Sequence, residues 1–326
     1  MPLPPKWLGL ALVLPAMLSE VCQLGTALTL HHSSDRRMRE IVKSCDRVPF
    51  RELLSEVPRA KAADEARRAQ LASKRLDWHG LKIQATLQKS LADSLTSSDL
   101  KAWTTNTSFI TPTIANFARK GLLRCLPTNS NLHLWGKSPS SSCPQCHSVE
   151  TEKHVLNNCP GSAEQGRYTW RHNAVLKLLL EHIKQHIPDG AELLADLPGH
   201  THPSTLYSGI VPDITIVKDG LATILELTCC YETNTLASKA RKLEKYRNPA
   251  GYSLLPYPFK VLTLEVSSLG FLSPRSLNEF CNTTGITPLQ PNDLRRLGEM
   301  ALRCSFFIFC SRHKPWPIQP SDPFFH

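Results

Sequence analysis

The chain has little glycine, few aromatic residues and no long uninterrupted apolar run. Glycine contributes 15 of the 326 residues, and aromatic residues make up 7%. So little glycine excludes a collagen-like repeat, and the absence of any apolar run of about 18 residues excludes a protein with several membrane spans. No internal repeat is found. The 25 prolines interrupt the chain often enough to exclude a coiled coil.

The composition is that of a globular protein with an excess of basic residues. Apolar residues make up 41% and charged residues 20%, and the length suits two domains of about 150 residues each. Lys and Arg number 38 against 28 Asp and Glu, a net charge of +10. Residues 1–135 hold 19 basic and 11 acidic residues, which is +8 of that charge. This balance favours an anionic partner, either a nucleic acid or an acidic membrane surface.

The cysteines indicate a reducing compartment. There are 11 of them, an odd number, and they lack the dense spacing of a small disulfide-stabilised protein. The N-terminus gives the contrary signal, because Lys6 precedes an apolar run from Trp7 to Leu18. That run has the length of a secretory signal peptide, and the sequons at Asn106 and Asn282 suit secretion. The alternative interpretation is a buried helix whose upstream part is missing.

Periodicity divides the chain into three predicted regions. Residues 1–135 form a helical region, with apolar residues at helical spacing from Leu18 to about Leu126. A Ser-, Asn- and Pro-rich loop over 127–142 leads into a short Cys/His segment, 136–165. Residues 166–326 read as an α/β domain. The elements predicted there are a helix over 167–187, two short strands after Pro212, a basic helix over 236–247, a strand over 259–266 and a helix over 292–303.

Four residues of metal-binding types lie within 17 positions. Cys143, Cys146, His154 and Cys159 have the spacing C-x2-C-x7-H-x4-C. A Cys-x2-Cys turn can aim two thiolates at one centre, and a short helix can supply the other two ligands, which suits tetrahedral zinc. Because all four positions are protein ligands, the predicted site is closed and structural. His147 directly follows Cys146, where one turn cannot aim both side chains at one ion.

Two carboxylates are predicted to face each other across a hairpin. Asp219-Gly220 lies between apolar alternations and is a strong signal for a two-residue turn. With that turn, paired residue numbers sum to 439, so Asp213 lies opposite Glu226. Like charges so close repel, whereas a divalent cation would make the pair favourable. The pair therefore indicates a site for magnesium or manganese. The competing interpretation is an exposed hairpin with two solvated acids.

A basic helix follows the second strand of this hairpin. It places five cations within nine residues, enough to hold a phosphate backbone or to supply a catalytic ammonium. These cations are Lys239, Arg241, Lys242, Lys245 and Arg247.

Taken in order, these motifs resemble a known family. The pair that follows Pro212 resembles that of the PD-(D/E)XK restriction-like endonucleases. The series of Cys/His knuckle, Arg171-His172-Asn173, Pro212-Asp213 and Lys242-Leu-Glu-Lys245-Tyr246 resembles the C-terminal region of site-specific non-LTR retrotransposon proteins. The resemblance runs from about Leu122 to the C-terminus. It implies an α/β restriction-endonuclease-like domain with a central mixed sheet, preceded by a CCHC zinc knuckle and a thumb-like or linker helical region.

The resemblance also implies roles for individual residues. Asp213 and Glu226 would be catalytic acids that bind magnesium or manganese, and Lys242 or Lys245 would be the catalytic lysine. Arg171 and His172 would contact DNA or support the site. The other cations of the basic helix would bind nucleic acid: Lys239, Arg241 and Arg247. Two departures stand out. The family commonly has Asp in place of Glu226, and its usual lysine two residues later is Thr228 here.

The sequence therefore predicts a metal-dependent DNA endonuclease module of retroelement origin, located in the nucleus. It has no two adjacent aspartates, which the polymerase signature of such elements requires, so we expect a C-terminal piece without reverse transcriptase. The expected partner is DNA, with RNA as a second candidate and no membrane. One alternative is a decayed or domesticated nucleic-acid-binding protein that keeps the zinc knuckle and the basic surface. The third is a secreted protein.

Overall fold

The computed structural model describes residues 15–49, 51–53, 59–82, 85–203, 210–247 and 258–316. The chain forms two compact units, Met1–Thr86 and Leu87–His326. The apolar run over 7–18 lies largely outside the described residues, so its interpretation as a signal peptide or a truncated helix stays a prediction. None of the described helices combines the length and the apolar character that a membrane span requires.

The first unit is helical, as its periodicity predicts. Its helices are α1 Pro15–His31, α2 Arg36–Ser44 and α3 Arg59–Gly80. Asp35 caps α2, because its side chain accepts a hydrogen bond from the backbone N–H of Arg37. The unit is held by a small apolar cluster in which Leu24 and Leu28 of α1 pack with Val42 and Ala66.

The second unit begins with a further series of helices. They are α4 Thr86–Ser94, α5 Ser97–Asn106, α6 Pro112–Leu122, α7 Asn129–Leu134, a π-helix His154–Asn158, α8 Pro160–Glu164 and α9 Arg167–His186. The segment 127–142, predicted as a loop, therefore contains a helix. Thr128 begins it by accepting a hydrogen bond from the backbone N–H of Asn131. Helix α9 ends one residue before its predicted limit.

A four-stranded mixed sheet follows, so the fold is mixed α/β, as predicted. Its strands, in spatial order, are β1 Glu192–Ala195, β2 Ile214–Lys218, β3 Leu221–Cys230 and β4 Phe259–Ser267. The first three are antiparallel and β4 is parallel to β3. Strand β1 was not predicted. The remaining elements are a 3-10 turn Glu232–Asn234, α10 Thr235–Glu244, α11 Arg275–Thr284 and α12 Pro291–Cys310.

The hairpin between β2 and β3 has the predicted turn and register. Asp219 and Gly220 have φ values of 52° and 74°, the positive values that a tight two-residue turn needs. Lys218 pairs with Leu221 and Ile214 with Leu225, so the residue numbers sum to 439. This confirms the register from which the position of Asp213 opposite Glu226 was predicted.

Both faces of strand β3 are covered. Leu225 and Leu227 pack with Leu176 and Leu180 of α9 in the main core. Residues on the opposite face, among them Ile224, pack with Tyr246, which follows α10. A strand buried on both faces is normally apolar throughout. Glu226 is the one charged residue in β3, and it lies on the face that α10 covers.

Candidate functional site

Asp213 and Glu226 converge at the start of β2, and both are buried. Glu226 is 0% exposed and Asp213 is 7% exposed. The backbone N–H of Leu227 donates a hydrogen bond to Oδ2 of Asp213 at 2.7 Å, which fixes this carboxylate against β3. The competing interpretation of two solvated acids on an exposed hairpin is therefore wrong.

Two lysines from the end of the basic helix reach these acids. Lys242 Nζ donates to Asp213 Oδ2 at 3.0 Å and also contacts Oε2 of Glu226, so one ammonium joins the two carboxylates. Lys245 Nζ donates to Glu226 Oε1 and to the carbonyl oxygen of Val211, at 3.0 and 3.1 Å. Both lysines proposed from the sequence thus lie at the pair.

Tyr246 is a site residue that the sequence left without a role. Its buried hydroxyl donates a hydrogen bond to Oε1 of Glu226. Its position four residues after Lys242 places the two on one side of the chain as it leaves α10, and this spacing could have identified it. Glu226 therefore has hydrogen-bond donors at both carboxylate oxygens.

His172 lies against the other oxygen of Asp213. Its Nε2 is 3.4 Å from Asp213 Oδ1, and its Nδ1 is 3.1 Å from Oδ1 of Asn173. Burial lowers the pKa of His172, but the hydrogen bond and charge of Asp213 outweigh it, so the pKa is raised above its ordinary value. His172 therefore lies at the carboxylate pair, and of its two predicted roles the geometry favours support of the site.

Charge at the site keeps Asp213 ionised and Lys242 protonated. Burial alone would raise the pKa of Asp213, but His172 and Lys242 hold it well below its usual range. Burial would lower the pKa of Lys242, yet the two carboxylates raise it. At neutral pH the site accordingly contains a carboxylate and an ammonium in direct contact.

The prediction that Arg171 contacts DNA requires correction. Arg171 is 0% exposed. Its guanidinium donates to Ser305 Oγ at 2.9 Å and to the carbonyl oxygen of Cys229 at 3.4 Å. From this position it is not available to a nucleic acid, so of its two predicted roles the geometry favours support of the site. The sequence did not predict this burial, because an arginine beside a helix N-terminus is usually solvated.

The remaining cations of the basic segment are on the surface. Lys239, Arg241 and Arg247 are exposed, and Arg247 pairs with the neighbouring Glu244 at 2.9 Å. Helix α10 thus divides its charges, with Lys242 directed to the acids and the other cations to solvent. Thr228 is buried, and its hydroxyl has no hydrogen-bond partner among the described residues.

A second cluster lies at the predicted zinc ligands. One ligand atom from each of Cys143, Cys146, His154 and Cys159 lies within 4.8 Å of all the others. The Sγ of Cys146 is 3.3 Å from Nε2 of His154, and the Sγ atoms of Cys143 and Cys159 are 3.9 Å apart. Three thiols and one imidazole at these distances can hold a metal ion such as zinc.

Local structure brings these four ligands together. The backbone N–H of His147 donates to the carbonyl oxygen of Cys143 at 2.9 Å, which closes the turn that carries the first two cysteines. His147 itself is exposed, with a φ of 60°, and it is not one of the clustered residues. His154 begins the π-helix and Cys159 directly follows it.

The protonation states are compatible with metal binding. Burial lowers the pKa of His154, which favours the neutral imidazole that binds metals. Burial raises the pKa of Cys143 to about 12. A thiol that is costly to ionise in this buried position becomes a thiolate when a dication supplies the opposite charge, so the cluster suits a resident metal.

The acidic pair is a different kind of donor set. Among the described residues, the Cys/His cluster is the only group of three or more possible metal ligands that gathers in this way. Asp213 and Glu226 offer two carboxylates that already share one cation, the ammonium of Lys242. Carboxylates are the ligand type that Mg²⁺ takes, since it is commonly held by one or two of them with water and phosphate completing its shell.

Comparison with known proteins gives no independent identification. No model of a known protein family matches the chain, and a search of curated proteins also finds no match. The motifs and the geometry of the two sites therefore carry the functional proposal.

Proposed function

We propose that the chain is a metal-dependent DNA endonuclease module of the PD-(D/E)XK type that nicks its target by phosphodiester hydrolysis. The observation that carries this proposal is the contact of Lys242 Nζ with carboxylate oxygens of both Asp213 and Glu226. Two acids from adjacent strand segments and a lysine from the next helix form the set of groups that such hydrolysis needs.

In this proposal Asp213 and Glu226 hold Mg²⁺ or Mn²⁺. Such an ion, when bound, lowers the pKa of a water ligand and neutralises charge on the phosphate. Leu227 and His172 hold Asp213 in place from both sides, and Tyr246 holds Glu226. Because its pKa is raised, Lys242 stays protonated at neutral pH and can stabilise negative charge that develops on the phosphoryl oxygens.

The substrate surface proposed for this site is the exposed side of α10. Lys239 and Arg241 lie on the helix that also carries Lys242, and Arg247 follows it. A phosphate backbone held by these cations would pass close to the carboxylate pair. The net charge of +10 supports an electrostatic contribution to DNA binding, or to RNA binding as the second candidate.

We further propose that the Cys/His cluster is a structural zinc knuckle and that the module derives from a site-specific non-LTR retroelement acting in the nucleus. The support is the order of motifs along the chain, because the four-ligand cluster precedes Arg171-His172 and the carboxylate pair. Four protein ligands leave no open position for substrate, which favours a structural role.

A second candidate function is a nucleic-acid-binding protein whose catalytic centre has decayed. The specific observation in its favour is the environment of Glu226, which is fully buried beneath Lys242, Lys245 and Tyr246. The presence of Thr228 in place of the family's usual lysine also favours this second candidate. A closed ion-pair network of this kind can be a structural remnant that admits no divalent ion.

Nicking of supercoiled plasmid with Mg²⁺, together with titration calorimetry of Mg²⁺ on the protein–DNA complex, separates the two candidates. The endonuclease proposal expects that nicked circles form with Mg²⁺ and do not form when EDTA is present. It also expects uptake of Mg²⁺ by the complex. Tight DNA binding without Mg²⁺ uptake and without nicking would support the binding protein.

A further inference from the structure

Asn157 connects the Cys/His cluster to the strand that carries Glu226. It lies in the π-helix, between the clustered residues His154 and Cys159. Its side-chain Nδ2 donates a hydrogen bond to the carbonyl oxygen of Cys229 at 3.0 Å. Cys229 is in β3, three residues after Glu226.

The same side chain also contacts the neighbouring strand. Asn157 Oδ1 accepts a hydrogen bond from the hydroxyl of Ser268, which directly follows β4. The backbone N–H of Ser268 in turn donates to the carbonyl oxygen of Cys230 at 2.8 Å. Asn157 thus ties together the ends of the two parallel strands, on the chain segment that holds the buried acid.

A second connection passes through helix α9. The Tyr168 hydroxyl accepts from the backbone N–H of Cys159 and donates to the carbonyl oxygen of Val155, both at 3.0 Å. Three residues later on this helix, the Arg171 guanidinium donates to the carbonyl oxygen of Cys229. The next residue is His172, whose imidazole lies against Asp213.

A third connection reaches the helix that carries Lys242. Lys153, directly before the π-helix, donates to Oδ1 of Asn234 at 3.0 Å. Asn234 is the last residue before α10. The short segment 153–159 therefore contacts three of the elements that supply the carboxylate site, namely β3, α9 and, through its N-cap Asn234, α10.

We propose that metal binding at the Cys/His cluster positions the carboxylate site, and that Asn157 is the positioning residue that transmits it. A π-helix of five residues has little stability of its own, and π-helical turns are frequent at functional sites. An ion that holds His154 and Cys159 fixes the two ends of this turn, and thereby fixes the amide that reaches Cys229. The inference rests on the proposed metal in the cluster and not on nuclease activity.

The test is hydrogen–deuterium exchange of the full chain, followed by mass spectrometry of the peptide that covers 226–231. Removing zinc from the parent protein with a chelator is expected to speed exchange in this peptide about tenfold, the effect of losing roughly one net hydrogen bond. The Asn157→Asp variant has the same shape but replaces the donating amide by an oxygen. It should show the faster exchange while it still binds zinc.

The matched control is Asn158→Asp, which makes the same change at an exposed asparagine of the same π-helix. It should exchange like the parent. If Asn157→Asp holds its zinc and exchanges like Asn158→Asp, the positioning role is wrong. If Asn157→Asp does not fold, Asn157→Ser replaces it. Zinc removal from the parent protein tests the coupling independently of these variants. Unchanged exchange at 226–231 after zinc loss would overturn the proposed coupling.

The outcome of the exchange experiment does not depend on the proposed nuclease function. Exchange needs no DNA and no cleavage, so the coupling can hold in a protein that cuts nothing. If the protein does nick DNA, the Mg²⁺ concentration for half-maximal nicking should rise about tenfold in Asn157→Asp and stay at the parental value in Asn158→Asp, with zinc content unchanged in both.

Discussion

Asp213 accepts a 2.7 Å hydrogen bond from the backbone N–H of Leu227, so the acid that precedes strand β2 is fixed to strand β3 beside Glu226. Two buried carboxylates held so close would repel each other. The ammonium of Lys242, in contact with both, offsets this repulsion.

Glu226→Gln should destabilise the protein by about 3 kcal/mol, because it removes one charge from a buried network in which Lys242 and Lys245 both contact Glu226. Urea unfolding followed by circular dichroism measures the change. Glu244→Gln is the control, since Glu244 pairs with Arg247 on an exposed surface and should cost under about 1 kcal/mol. Equal losses in the two variants would mean that the network around Glu226 contributes no stability.

His172 should make stability depend on pH in a defined direction. Its pKa is raised in the folded protein, so its stabilising effect is fully present below the unfolded pKa of about 6.5. This effect is lost as the pH rises through the folded pKa. His172→Gln should therefore remove part of the parental loss of stability above pH 6.5. The control is His133→Gln, at an exposed histidine whose imidazole lies against the carbonyl oxygen of Ser138 rather than an acid. It should keep the parental profile. Unfolding measured at several pH values gives the comparison.

Asp213 should act in the opposite pH range. Its pKa is depressed in the folded protein, so its contribution is present above the unfolded pKa of about 3.9 and is lost as the pH falls towards the folded value. Asp213→Asn should therefore flatten the acid limb of the stability profile. An unchanged acid limb would contradict the charge environment assigned to this carboxylate.

The Cys/His cluster should bind one zinc ion per chain. Cys146→Ser should lower the zinc content of the purified protein towards zero, because three ligands bind zinc more weakly than four. Cys125→Ser is the control at an exposed cysteine outside the cluster. Metal analysis by mass spectrometry gives the ratio. Zinc loss from both variants alike, or none from Cys146→Ser, would refute the ligand set.

The exposed cations of α10 should determine how DNA binding depends on salt. Removing Lys239 and Arg241 together by substitution with Gln should reduce the slope of log K against log salt by about 2. The control removes two exposed cations of α9, Lys177 and Lys184, with the same change in net charge. If both double variants change the slope equally, net charge rather than this surface governs binding.

Local patterns predicted much of the fold. The Asp219-Gly220 turn predicted the hairpin and its register. Adjacent residues alone determine both the positive φ values of the turn and the alternating pattern of the strands. The ligand set of the Cys/His cluster was predicted because metal geometry restricts spacing within a short segment. Helix α12, by contrast, runs seven residues past its predicted end at Arg303, because Cys304 and Ile308 still pack into the core.

The features that were missed depend on contacts between distant parts of the chain. Arg171 is buried because Ser305 and the end of β3 supply acceptors for its guanidinium. The periodicity of the sequence does not predict contacts with residues so distant in the chain. The role of Asn157 could not be predicted from the sequence either, since the carbonyl oxygen that accepts its hydrogen bond lies 72 residues away. Strand β1 is only four residues long, too short for an alternating pattern to be recognised.

The most direct test of the proposed function compares Asp213→Asn with Asp219→Asn in Mg²⁺-dependent nicking of supercoiled plasmid. The two variants make the same chemical change in one hairpin, and Asn tolerates the positive φ of the exposed turn position. The endonuclease proposal predicts nicking by the parent and by Asp219→Asn, and at least a hundredfold slower nicking by Asp213→Asn. Nicking by Asp213→Asn at the parental rate would contradict the proposal.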